Sequence, residues 1–148
     1  MRIIAIDPGY ERLGIAVMEK QPKSKERLLY SNCFFTPKTK KHHERLAMVA
    51  NEIARIIKEY KPEALAIETL FFSKNQKTAM LVAEARGVIL AECSRNNIAV
   101  KEFSPADIKI AVTGHGKSDK KQVTAMVKLL IALQYPISYD DEFDAIAT

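Results

Sequence analysis

The chain predicts an α/β fold built on one mixed sheet with helices on its faces, and three observations carry that expectation. Three strand patterns joined by short connections open the sequence, helix and strand patterns alternate after residue 44, and two buried strand patterns each end on an acid. At 148 residues, 47% apolar and 28% charged, the chain has the length and composition of one globular domain, 1–148. A formal charge of +5 favours a polyanionic partner without establishing one. No apolar run approaches the roughly 20 residues of a membrane helix, and no signal peptide precedes the first strand pattern, so a cytoplasmic protein with no membrane partner is expected. Cys33 and Cys93 belong to no closely spaced pair or Cys/His cluster and read as small buried hydrophobes.

The opening MRIIAIDPGYERLGIAV reads as a strand, a turn at Pro8-Gly9 and a returning strand, with Asp7 held where the first strand ends. Residues 19–26 are polar and form a hairpin loop, and a third strand covers 27–35, which makes an antiparallel start to the sheet. TPKTKKHH is a basic loop. Over 44–60, Leu46, Val49, Ile53, Ile56, Ile57 and Tyr60 recur at helical spacing, and Pro62 stops this amphipathic helix. Residues 64–67 make a short buried strand with Glu68 directly after it, repeating the arrangement of Asp7.

A second helix over 76–95 is apolar around most of its circumference. Leu81, Ala85, Val88 and Ile89 could face the core, while Met80, Val82, Ala83 and Ala91 point elsewhere. Gly87 in its middle predicts close approach to another backbone. The two apolar faces point to a symmetric dimer through this helix, with burial in one monomer core as the alternative. Asn96-Asn97 turns the chain into a strand at 98–103, and Ser104-Pro105 caps a short helix to Val112. The loop TGHGKS leads to a helix over 119–133 striped by Val123, Met126, Val127 and Leu130. Residues 138–148 begin a last helix of barely two turns.

Asp7 and Glu68 leave strand ends, and neighbouring strands lie about 4.8 Å apart, so the two carboxylates can share a site. Asp141 and Asp144, three apart at a helix start, share a face. Four carboxylates with no thiol nearby and no required histidine are ligand chemistry for Mg²⁺ or Mn²⁺ rather than zinc. Two such ions can activate water and stabilise the leaving oxygen of a phosphodiester in an in-line displacement. Each acid also has a plainer reading: Asp7 as a turn residue, Glu68 as a solvated strand end, Asp141 and Asp144 as partners of a helix dipole. Lys74, Lys77, Lys117, Lys120 and Lys121 flank the four acids and could neutralise phosphates, or simply be solvated. His42, His43 and His115 are expected in solvent. TGHGKS lacks the full phosphate-loop spacing and follows no strand, which argues against nucleotide binding.

DPGYERLGIAV around Asp7, AIETLFFSKN around Glu68, ARGV at 85–88 and DEFDA at 141–145 occur in an order that resembles the RuvC family of Holliday-junction resolvases. The resemblance runs over essentially the whole chain. It implies a ribonuclease-H-like fold with a mixed five-stranded sheet, three antiparallel N-terminal strands and helices on both faces. It also implies a homodimer and Mg²⁺-dependent symmetric cutting of four-way junction DNA, with two ions per site and Mn²⁺ as a substitute. A branch-migration motor complex is a further candidate partner. By position, Asp7, Glu68, Asp141 and Asp144 match the family's catalytic carboxylates, and Lys109 and Lys120 its basic residues near the scissile phosphate. Phe71 matches its aromatic residue that stacks on bases near the crossover, in a loop suited to that task. The last helix is short for the family.

Two other classes remain. One is a resolvase-like module that binds branched DNA without cutting it. The other is an actin-like phosphotransferase, for whose two lobes the chain is too short.

Overall fold

The structure is a computed structural model, and it describes residues 1–70, 76–131, 133 and 136–148, with the side chains of residues 76 and 77 also outside the description. Phe71 and Lys74, and the side chain of Lys77, therefore lie outside the described residues. Strands β1 (Arg2–Asp7), β2 (Arg12–Glu19), β3 (Arg27–Phe35), β4 (Ala64–Glu68) and β5 (Ala99–Phe103) form one sheet in the order β3-β2-β1-β4-β5. The first three strands run antiparallel and β1-β4-β5 parallel, the mixed sheet the sequence predicts. Helices α1 (His42–Tyr60), α2 (Gln76–Arg95), α3 (Pro105–Thr113), α4 (Lys120–Leu130) and α5 (Asp140–Ala147) complete the order.

Strand alternation separates two cores. Ile4 and Ile6 of β1, Leu13, Ile15 and Val17 of β2, and Leu65 and Ile67 of β4 pack under α1 and α2 with Val49, Ile53, Ile56, Ile89 and Cys93. The opposite face presents smaller residues, Ala5, Ala16 and Ala66, and packs against Val123 and Val127 of α4 and Phe143, Ala145 and Ile146 of α5. Small side chains here let α5 lie close to the sheet, which sets the depth of the site described below.

Helix ends follow their local chemistry. Ser104 Oγ accepts from the Asp107 N–H at 3.1 Å while Asp107 Oδ2 accepts from the Ser104 N–H at 3.1 Å, so Ser104 and Asp107 form a capping box at the start of α3. Asp119 and Gln122 do the same for α4, each contact 2.9 Å. α1 ends at Lys61 and α3 at Gly114, both left-handed, with Pro62 following the first. α4 stops at Leu130 rather than reaching 133, because Ile131 is already extended.

Two expectations for α2 need correction. Leu81 is only half-buried, while Val88, half-buried as well, packs against the first core beside the fully buried stripe Ala85, Ile89 and Cys93. Among the described residues no backbone approaches Gly87: it is exposed, and a Cβ there would meet nothing within 4 Å. With Met80, Glu84 and Ala91 it lies on the outward face of the helix.

Candidate active site

The parallel pairing of β1 with β4 matches Ile6 to Ile67, so Asp7 and Glu68 follow side by side at the carboxyl ends of the two strands. Alternation turns both away from the α1–α2 core, toward α5. From the helical side come Asp144 of α5, Lys109 of α3 and Lys120 of α4. These five polar side chains line one cleft of about 220 Å³, with Ile108 and Val123 among its apolar walls. Glu68 and Asp7 sit on rigid sheet ends, which suits close positioning.

Electrostatics in the cleft are dominated by crowded negative charge. Burial, reinforced by Asp144, Glu68 and Asp141, pushes the Asp7 carboxyl up to about 7, against the pull of Lys120. Burial and Asp144 likewise raise Glu68, with Lys109 opposing. Lys120 Nζ donates to Asp144 Oδ2 at 2.8 Å and lies 3.6 Å from Asp140 Oδ2. Asp141 stands apart from the others: it does not line the cleft, and its carboxylate pairs with Arg12.

Several residues that hold this arrangement have no obvious mark in the sequence. Gly14 pairs with Asp7 across the hairpin, and a Cβ on it would collide with the Asp141 carbonyl and lie 3.2 Å from Asp7 Cβ. The first turn of α5 therefore rests directly on β2. Glu142, buried among the acids of that turn, accepts from Ser31 Oγ at 2.6 Å and from the Tyr139 N–H at 3.3 Å, which ties α5 to β3. Arg86 Nε donates to the Glu68 carbonyl at 3.2 Å and pairs with Glu102, fixing the ends of β4 and β5 against α2. Gly14 faces Asp7 because the β1–β2 register is centred on Tyr10 and Glu11, beyond the Pro8-Gly9 turn that the sequence suggests, and Arg86 lies within the ARGV motif.

A thiol is nearer than expected, since Cys33 is paired in register with Gly14 and lies beside Arg12 and Asp141. Burial pushes that thiol up, which keeps it neutral and a poor ligand. His42 is not simply solvated: its Nδ1 lies 2.7 Å from Tyr10 Oη and its Nε2 2.8 Å from Glu84. His43 and His115 are exposed. The Thr113 and Ser118 hydroxyls of TGHGKS bond each other at 2.6 Å, making the loop a closed link between α3 and α4. Lys117 and Lys121 are exposed, and Lys121 borders a groove with Lys120, Lys128 and Asp140.

The donors facing the cleft are carboxylate oxygens, hard ligands whose surplus charge a divalent cation would relieve. With Asp144 turned to Lys120 and Asp141 to Arg12, no three His, Cys, Asp or Glu side chains among the described residues close around a single point. The donor chemistry fits a hard cation, and in the present side-chain positions Asp144 and Asp141 are paired with protein cations instead.

The family model Crossover junction endodeoxyribonuclease RuvC matches residues 3–148. The RuvC protein of Thermosipho melanesiensis is 46% identical over 147 residues, 99% of this chain and 93% of the relative. That of Fusobacterium nucleatum is 43% identical over 99% of this chain and 77% of the relative. The structure of Thermus thermophilus RuvC in complex with Holliday junction substrate superposes with a TM-score of 0.92 at 28% identity, covering 99% of this chain and 89% of that one. The sheet order and helix placement are accordingly ribonuclease-H-like, and the chain belongs to the RuvC family of crossover junction endodeoxyribonucleases.

Proposed function

We propose that this chain is a dimeric, divalent-metal-dependent endonuclease that resolves Holliday junctions by symmetric phosphodiester cleavage, acting in the cytoplasm during DNA recombination and repair. The observation that supports it most is the meeting of Asp7, Glu68 and Asp144 with Lys109 and Lys120 in one cleft of a RuvC-family chain. In this reading Asp7, Glu68, Asp141 and Asp144 hold two Mg²⁺ ions, with Mn²⁺ as a substitute. When bound, such ions supply an activated water and stabilise the leaving oxygen.

The chain's own residues have distinct tasks. Asp7 would hold an ion in its deprotonated form, which its position near neutrality makes accessible. Lys120 exchanges its contact with Asp144 for the scissile phosphate, and Lys109 neutralises charge on the same group from across the cleft. Phe71 stacks on bases near the crossover, and Lys74, Lys77, Lys117 and Lys121 neutralise flanking phosphates. The outward face of α2 receives a second copy, which places two sites for two cuts, and a branch-migration motor complex is a further partner.

Incubating a mobile four-way junction with the native chain and with Asp7→Asn, each with and without Mg²⁺, tests the reading. Paired cuts should require the metal and fall by about 10³-fold or more in the variant, while junction binding persists. Undiminished cleavage by Asp7→Asn would overturn the assignment. Binding by the native chain with Mg²⁺ but no cutting would support the non-cutting module instead.

A further inference from the structure

We propose that Arg12 is a built-in competitor of the divalent cation: its guanidinium holds Asp141 until a cation displaces it, and so sets the metal affinity of the DNA-free protein. The inference rests on the metal reading of the four carboxylates given above. Three observations carry it. Arg12 opens β2 and its Nη2 pairs with Asp141 Oδ2. Asp7, Glu68 and Asp144 face the cleft while Asp141 does not. The guanidinium also has a slot of its own, with its carbon 5.7 Å from the Phe35 ring centre and 5.4 Å from that of Tyr139, two rings packed edge to face at 5.2 Å.

The slot matters because a cation held over aromatic faces keeps its place without the carboxylate. Phe35 ends β3 and Tyr139 caps α5, the helix that carries Asp141, so the slot joins that helix start to the sheet edge. Arginine does not deprotonate in proteins, so raising the pH does not remove the guanidinium from Asp141. Another cation must compete for it. The pair is also near the surface, its side chains 45% and 23% exposed, so exchange needs no opening of the core. Removing the guanidinium therefore takes away both a rival for the ligand and a like charge beside the ion, and both effects raise affinity. A guanidinium that merely oriented Asp141 for the ion would have the opposite effect on removal.

The test is calorimetric titration of Mn²⁺ into the full DNA-free chain, comparing the native protein with Arg12→Gln, Arg12→Lys and Phe35→Leu. Arg12→Gln is expected to bind Mn²⁺ about 10-fold tighter, and Phe35→Leu tighter by a smaller factor because it loosens the slot but keeps the charge. Arg12→Lys, which retains the charge without the planar fork, should fall between the native chain and Arg12→Gln. Equal or weaker binding by Arg12→Gln, with a native circular dichroism spectrum, would overturn the proposal, as would tightening that survives Asp141→Asn in the same background. If the native chain binds Mn²⁺ and Asp7→Asn does not, the metal reading stands whatever Arg12 does. If neither binds, the metal reading has failed and this inference with it.

Discussion

At Asp7 a single carboxyl group is caught between its place in the sheet and its charge. Its ordinary value of 3.8 rises to about 7 in the folded chain, first through burial and then through Asp144, Glu68 and Asp141. A raised carboxyl binds its proton more tightly when folded. The contribution is intact below about pH 4, where folded and unfolded chains both carry the proton, and is lost as pH rises through about 7. Without metal, the native chain should thus lose stability from this group between pH 4 and pH 8, and Asp7→Asn, which carries no charge, should not. Urea unfolding in chelator should show Asp7→Asn gaining on the native chain by an order of 2–4 kcal/mol across that range. A constant difference between pH 4 and pH 8 would mean that the crowding of charge is relieved in another way. Glu68 shifts in the same direction, so part of the native chain's loss persists in the variant.

The element that turns these residues into a site is α5, and its position depends on what β2 lacks. Gly14 leaves room for the Asp141 carbonyl, and the Ser31–Glu142 hydrogen bond holds the same turn from β3. Gly14→Ala should push the first turn of α5 off the sheet, at a cost of about 1–3 kcal/mol in unfolding free energy. Junction cleavage should fall by about 10²-fold, since displacement of catalytic groups by an ångström is expensive. A variant of native stability and activity would show that α5 can shift without consequence. The same comparison explains what the sequence could reveal. Asp7 and Glu68 were legible because each ends a strand, where an apolar run stops on an acid, and Asp144 because it follows Asp141 by three residues at a helix start. Arg12, Cys33 and Glu142 were not, because their meaning lies in contacts between β2, β3 and α5, more than a hundred residues apart in sequence for Ser31 and Glu142. Helix periodicity also failed to rank α2's faces, because a helix that is apolar nearly all round gives no strong direction to its buried stripe.

Across the whole molecule, the unfilled space at Gly87 becomes informative. A glycine within a helix costs roughly 1 kcal/mol relative to alanine, yet among the described residues nothing would come within 4 Å of a Cβ there. Met80 is 63% exposed on the same face, and Ala91 continues it. A second copy laid along this face would give the small residue a packing role, and a stable dimer needs about 1,200–2,000 Å² of total burial, which a 20-residue helix can anchor. Gly87→Glu separates the two demands. Within one chain the substitution meets open space and replaces a poor helix former, so the melting temperature of the monomer should not fall. In a dimer through this face it would set two carboxylates against each other across the symmetry axis, and light scattering should show the native chain as dimers and the variant as monomers at the same concentration. The functional readout follows from geometry, because one site can cut only one strand at a time. On a plasmid with an extruded cruciform, a native chain that pairs through this face should yield linear DNA by paired cuts, whereas Gly87→Glu should yield nicked circles that accumulate before any linear product. Linear product at the native rate from a strictly monomeric variant would remove α2 from the interface and leave the symmetry of cleavage to be supplied by the junction itself.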